Sequence, residues 1–255
     1  MTGAIYPSLR GQVVLVSGGA SGIGAEMVTR FARQGAQAAF VDIDDTSAEA
    51  LVAALSAEGH AAPFYQHCDI RDIASLRLAI STVIARFGPI NTLVNNAASD
   101  DPHTIAEVEP EYWDERMARN LRHHFFAAQA VRPAMAEAGG GSIINIGSTV
   151  WLFGAPRTIA YATAKAAISG MTRSMARELG PENIRVNCVI PGWVMTERQL
   201  STYIDEAAEQ QISTRQSLSN RRIQPADIAN MVLFLAADES RSCAGQNFIV
   251  DAGWV

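Results

Sequence analysis

Tyr161 and Lys165 stand four positions apart in the stretch Tyr161-Ala-Thr-Ala-Lys165. In a helix that spacing stacks two side chains on one face, one turn apart. A phenol beside an ammonium is a pair that can move a proton. A free tyrosine has a pKa of about 10, too high for an efficient base at neutral pH. Lowering it by about two to three units takes roughly 3 to 4 kcal/mol. An ammonium about 4.5 Å away, at an effective dielectric of about 20, supplies that much. The spacing also recurs by chance on exposed helices, so its meaning depends on the residues around it.

A second group of residues has the chemistry of a dinucleotide site. Ser17-Gly-Gly-Ala-Ser-Gly-Ile-Gly24 lies between a short apolar run and an amphipathic segment. Gly18, Gly22 and Gly24 let the backbone turn tightly and approach a pyrophosphate. Ser21 and Ile23 sit within the loop, and the following helix offers free N–H groups and a favourable dipole. Asp42, with Ile43 beside it, ends the next apolar run near the offset expected of a carboxylate that binds ribose hydroxyls. Asp44 and Asp45 follow, and no Lys or Arg is close in sequence to balance a 2′-phosphate. The expected cofactor is therefore NAD, with NADP secondary. A solvated acidic turn explains Asp44 and Asp45 better than it explains Asp42. Asp69 suits the adenine amino group, aided by the Ile70 backbone. Asn95-Asn96-Ala97-Ala98 offers small side chains under a flat adenosine.

These residues all fall at the ends of predicted strands. Apolar runs at 12–17, 38–42, 64–69, 92–95, 142–147, 184–190 and 247–250 alternate with helical patterns at 24–34, 47–58, 73–87, 111–138, a Tyr161 helix reaching 179, and 225–236. That alternation predicts an α/β fold, one doubly wound parallel sheet of about seven strands with helices on both faces. Ligands of such sheets bind at the carboxyl ends of the strands. No linker or repeat divides residues 1–255, so one domain is expected. The polar stretch 196–219 reads as a helical flap within it.

The chain has 255 residues, 48% of them hydrophobic, and a formal charge of −6. Those values allow a large core and argue against binding nucleic acid or anionic membranes. Cys68, Cys188 and Cys243 are far apart and form no C-x-x-C, which suits a reducing, cytoplasmic setting. His123-His124 lies beside Phe125-Phe126 without further ligands at metal spacing, so a packing or interface role is expected and no metal.

Together the Gly18/Gly22/Gly24 loop, Asp69, Asn95-Asn-Ala, Asn120, Ser148, Tyr161, Lys165 and Pro191-Gly192 with Thr196 resemble the short-chain dehydrogenase/reductase family over almost the whole chain. Ser17 replaces the family's usual threonine, and Ala98 replaces a usual glycine, which questions the local backbone there. The resemblance implies a catalytic tetrad of Asn120, Ser148, Tyr161 and Lys165. Ser148 would polarise the reacting oxygen and Tyr161 would take the hydroxyl proton. Lys165 would lower the tyrosine pKa and hold the nicotinamide ribose, and Asn120 would hold a water linking Lys165 to solvent. The alternative for Asn120 is a helix-interior amide bonding backbone. Thr196 and the Val194 backbone would hold the carboxamide, next to Pro191 and Gly192.

The same end of the chain carries Ser99, Asp100, Asp101, His103, Trp151, Trp193 and Gln199. Carboxylate, imidazole and amide groups suit dense hydrogen bonding, and indoles suit the C–H faces of a pyranose. Ser99, Asp101, His103, Ser148, Trp151, Tyr161, Trp193 and Gln199 are thus the candidate sugar contacts. A turn explains Asp101-Pro102 equally, a solvated loop explains His103, and either tryptophan fits a core or a subunit interface. Segments at 4–9, 112–116, 120–123 and 251–254 further resemble bacterial aldopentose 1-dehydrogenases. The implied reaction oxidises C1 of D-xylose or L-arabinose to the lactone with NAD. The competing readings are a carbonyl or 3-ketoacyl reductase of the same family and a non-enzymatic cofactor-binding protein. The family also implies pairing of the long helices at 111–138 and 157–179 into a homo-oligomer, most often a tetramer.

Overall fold

In the computed structural model, which describes residues 3–218 and 221–255, the chain builds one seven-stranded sheet. The strands are β1 (Val13–Ser17), β2 (Gln37–Asp42), β3 (Phe64–His67), β4 (Thr92–Asn95), β5 (Gly141–Ile146), β6 (Ile184–Pro191) and β7 (Asn247–Val250). Their order is β3-β2-β1-β4-β5-β6-β7, and every pairing is parallel. The sequence expectation of an α/β, all-parallel, doubly wound sheet therefore holds. Strand order reverses between β1 and β4, so the loops after those strands diverge and open a crevice.

Both faces of the sheet are covered, which is why the strands read as continuous apolar runs. Successive residues still divide between two cores. Val14, Val16, Ala38 and Phe40 pack with Met27, Val28 and Phe31 of α1 (Gly22–Arg33) on one face. Val13, Leu15, Ala39 and Val41 pack on the other with residues that include Leu76 and Ile80. These two lie on α3 (Ile73–Phe87), which follows α2 (Asp45–Ala57).

The remaining helices are α4 (Pro110–Met117), α5 (His123–Glu137), α6 (Val150–Phe153), α7 (Ile159–Leu179), α8 (Glu197–Thr202), α9 (Glu206–Arg215) and α10 (Pro225–Ala236). The helical region expected at 111–138 runs unbroken from 110 to 137. Within it lies a π-helical turn, Ala118–Arg122, which carries Asn120. Such a turn adds a residue to the helix and re-aims the side chain there, a change that a period of 3.6 does not announce. The flap expected at 196–219 contains α8 and α9, capped by Thr196 and Asp205. Its last residue, Ser219, lies outside the described residues. Among the described residues no helix is long and apolar enough to cross a membrane.

Candidate active site

The glycine loop after β1 is shaped by contacts that exclude side chains. Gly18 has φ +66°, and a Cβ there would lie 2.8 Å from the Ala97 Cα. A Cβ on Gly24 would fall 1.8 Å from the Gly18 carbonyl oxygen. Only glycine permits this close return of α1 onto the loop. Ser17 does the work expected of a hydroxyl at its position. Its Oγ accepts from the Asn96 and Ala97 backbone N–H groups at 3.0 and 3.2 Å, joining β1 to the strand-end loop of β4. Asn96 Nδ2 returns two bonds, to the carbonyls of Ser17 and Gly18. Ala98 has no positive φ and its side chain is exposed, so its methyl group strains nothing.

The crevice is a continuous cavity of about 760 Å³. One end is lined by Gly18, Ser21, Ile23, Gly24, Asp42, Ile43, Asp69, Ile70 and Asn96 to Ala98. The other is lined by Ser148, Tyr161, Lys165, Pro191, Gly192, Val194 and Thr196. Of the proposed cofactor residues only Gly22 is absent from the wall. Its φ of +54° places it at the turn, under Thr196. Asp42 is oriented by backbone donors, with Oδ2 accepting from Ala20 and Oδ1 from Ile43 and Asp44. Its neighbours have other tasks. Asp44 caps α2 through Ser47 N–H, and Asp45 binds Tyr65 and His67. Asp69 lines the cavity, but Arg71 already holds both its oxygens. A long cleft with a fixed acceptor at one end and small residues along its floor fits an extended dinucleotide.

At the far end, Tyr161 of α7 and Ser148 share the cavity wall, and the serine hydroxyl acts to lower the phenol's pKa. Lys165 is only 1% exposed and donates to the Ile146 carbonyl at 2.7 Å. Burial pulls its pKa down to about 8, against a partial upward push from Cys188 and Asp100. The electrostatics at Tyr161 pull in both directions. Burial raises the Tyr161 pKa and Asp100 raises it further, while Ser148 and Arg198 lower it. The Lys165 nitrogen lies 5.6 Å from the Tyr161 ring centroid and is drawn toward the Ile146 carbonyl. An i,i+4 spacing fixes the neighbourhood of two groups but not which atoms face each other.

Asn120 is fully buried, and its Oδ1 accepts from Ser99 N–H at 2.8 Å. Its Nδ2 has no protein partner, an arrangement suited to holding a water. His123 and His124 are also fully buried, with ring centroids 4.3 Å apart. Burial depresses both, His123 to about 3, with Lys165 adding to the effect. They are neutral packing residues within the core.

Several proposed sugar contacts lie elsewhere. His103 does not line the cavity. Its Nε2 accepts the Ala160 N–H at 3.1 Å, at the start of α7, and its backbone N–H donates to Arg157 O at 2.7 Å. It secures the catalytic helix, because the first helical turn leaves N–H groups that need acceptors. Trp151 packs against Ile168, Cys188 and Ile190, on the side of α6 away from the cleft. Ser99 and Asp101 lie behind the wall, bonded to each other at 2.7 Å, with Asp101 also held by Arg116 at 2.5 Å. Trp193 and Gln199 do line it, joined by Trp193 Nε1–H donating to Gln199 Oε1 at 2.8 Å. The structure adds Asp100, Phe153, Arg198 and Trp254. Asp100 was visible as part of a polar loop, but alternation on an irregular loop does not say which of two neighbours faces inward. Trp254 and Phe153 carry no local signal, since only folding joins them.

Comparison with known proteins agrees with this geometry. A family profile described as enoyl-(acyl carrier protein) reductase matches residues 18–255. D-xylose 1-dehydrogenase of Caulobacter vibrioides is 49% identical over 254 residues, covering 100% of both chains. A Rhizobium meliloti protein named "Probable galactose dehydrogenase GalD" is 45% identical over 97% of this chain and 96% of its own. The solved structure of a blue fluorescent protein from a metagenomic library, in complex with NADPH, superposes with a TM-score of 0.88. It is 36% identical, over 97% of this chain and 99% of that one.

The buried lysine makes a testable link between pH and stability. Its folded pKa, about 8, lies below the ordinary lysine value of 10.5. Between those values the unfolded chain holds the proton and the folded chain does not, so stability should rise with pH across that window. The full effect is roughly 3 kcal/mol. Melting temperatures measured from pH 7 to 10.5 should show a rise that Lys165→Met removes. An identical profile in the variant would place the ammonium in a solvated setting.

Proposed function

From the premise that the chain belongs to the short-chain dehydrogenase/reductase family, as a dehydrogenase using NAD or NADP, we propose that it is an NAD-dependent aldose 1-dehydrogenase. The observation that carries this is the end-to-end 49% identity to D-xylose 1-dehydrogenase. The cleft supports it, since beyond Tyr161 it is walled by the indoles of Trp193 and Trp254 and by the polar groups of Asp100 and Gln199. D-xylose is the leading substrate, with L-arabinose and galactose as close alternatives.

NAD, when bound, would supply a hydride acceptor at its nicotinamide ring. The chain's own residues do the rest. Ser148 holds the C1 oxygen of the sugar and Tyr161 takes its proton as the C1 hydride departs. The products are the lactone, the reduced cofactor and a proton. Lys165 would hold the nicotinamide ribose and pass the proton on, toward a water held at Asn120. Asp42 accepts from the adenosine ribose hydroxyls, and its charge disfavours a 2′-phosphate. This is the ground for preferring NAD, although a relative in the same fold binds NADPH. Val194 and Thr196, which line the cavity, would hold the carboxamide. The whole chain acts as one catalytic domain, with the helices of 197–215 as its flap.

The protein is proposed to be a cytoplasmic homotetramer. Its three unpaired cysteines suit a reducing compartment. An apolar hollow formed by Met117, Leu121, Phe125, Phe126, Ala167 and Met171 lies where α5 and α7 reach the surface. Phe125 is 46% exposed, and a second copy would bury it.

Purified protein with NAD or NADP and a panel of aldoses, secondary alcohols and a 3-ketoacyl thioester should reduce NAD with a pentose. Turnover of the thioester alone would move the protein to the reductase class. Tyr161→Phe should keep cofactor affinity and lose kcat by about 10²-fold or more. Asp42→Ala should weaken NAD binding by about tenfold or more and raise relative use of NADP. An unchanged ratio of the two cofactors would remove Asp42 from ribose recognition. Light scattering at micromolar concentration should return four times the chain mass of 27.4 kDa. A monomer mass would refute assembly through the α5/α7 face.

A further inference from the structure

Asp100 lies in the wall of the cleft and its side chain is 31% exposed. It also lies within electrostatic reach of both Tyr161 and Lys165. Its Oδ2 accepts from Gln199 Nε2 at 2.8 Å, and its Oδ1 lies 3.1 Å from Arg198 Nη2. Both partners belong to the first turn of α8, on the flap. Each is secured in turn. Trp193 Nε1–H holds the Gln199 oxygen, and Asp101 Oδ1 takes Arg198 Nη2 at 2.8 Å. A polar belt thus crosses the mouth of the cleft, from the loop after β6 through the flap to the loop after β4.

An ionised carboxylate has about four acceptor positions. The flap occupies two, and the exposed remainder borders the cavity. Such a group demands donors from whatever binds next to it. A polyhydroxylated ring supplies them, whereas a ketone or an acyl thioester offers acceptors and would leave the charge desolvated and unpartnered. Taking the proposed aldose activity as its basis, we infer that Asp100 is the specificity-determining group of this site. Its carboxylate accepts hydrogen bonds from two hydroxyls of the sugar other than the reacting one. Arg198 and Gln199 are positioning residues that fix its orientation when the flap is closed. Neutral polyols are the substrate class this arrangement selects.

The discriminating experiment compares D-xylose with 2-hydroxytetrahydropyran, which keeps the ring and the reacting hydroxyl and lacks the others. In Asp100→Asn, kcat/KM for the sugar should fall by about 100-fold, and that for the bare ring by no more than about threefold. Arg198→Gln should raise the sugar KM by about tenfold, any kcat change through its charge on Tyr161 being shared with the bare ring, and Arg198→Lys should restore part of the KM. NADH binding, followed by its fluorescence, reports whether each variant is folded. If Asp100→Asn fails to bind NADH, the KM and kcat of Arg198→Gln decide the matter. A sugar-to-ring ratio unaltered in Asp100→Asn, or an Arg198→Gln that loses kcat alone, would overturn the assignment and leave the aldose activity standing. No turnover of any aldose by the unaltered protein would overturn the proposed function, and this assignment with it.

Discussion

The site is organised around a buried ammonium. Lys165 is almost wholly removed from solvent, and its one protein hydrogen bond runs to the carbonyl of Ile146, the last residue of β5. Desolvating a cation is costly, so its surroundings must not add a like charge. The two histidines beneath it are held neutral by the same burial. Asn145 gathers the remaining polar groups, accepting from Asn95 at 2.9 Å and donating to Thr172 at 3.0 Å. This links β4, β5 and α7 inside the core. The polar interior keeps α7 in one register against the sheet, and that register puts Tyr161 beside Ser148.

The loop at 99–103 ties this interior to the flap. Ser99 N–H satisfies Asn120, and His103 satisfies the open end of α7. Asp100 and Asp101 engage Arg198 on α8. One short segment therefore touches the π-helical turn, the catalytic helix and the cover of the cleft. Residues of this loop that do not line the cleft still set its shape. That is the physical reason a polar loop beside an active site contains both ligand-facing and structural groups.

Much of the fold was legible because parallel sheets leave a strong pattern. Both faces of the central strands β1, β2, β4, β5 and β6 are largely buried, so they read as apolar runs, and glycine or capping residues mark the turns between them. The cofactor end was legible for a related reason: Gly18 and Gly24 are demanded by backbone contact, and Asp42 by its place at a strand end. The substrate end was not. His103 and Trp151 have the side chains of sugar ligands, yet one secures a helix and the other fills a core. Their residue types are equally suited to both tasks, and only the direction of the side chain separates them. The π-helical turn at Asn120 was hidden too, because one extra residue barely disturbs the periodicity of a long helix.

Sequence by itself determined the parallel sheet, the family, and the identity of the groups that gather at the strand ends. These follow from local patterning and from residue types at fixed spacing along the chain. Tertiary structure alone decided which atoms meet. It turned Lys165 toward a carbonyl instead of the phenol, brought Trp254 from the far end of the chain to the cleft, and chose Asp100 over Asp101 as the inward carboxylate. Those outcomes depend on side-chain direction and on contacts between distant segments, and no spacing along the chain encodes either.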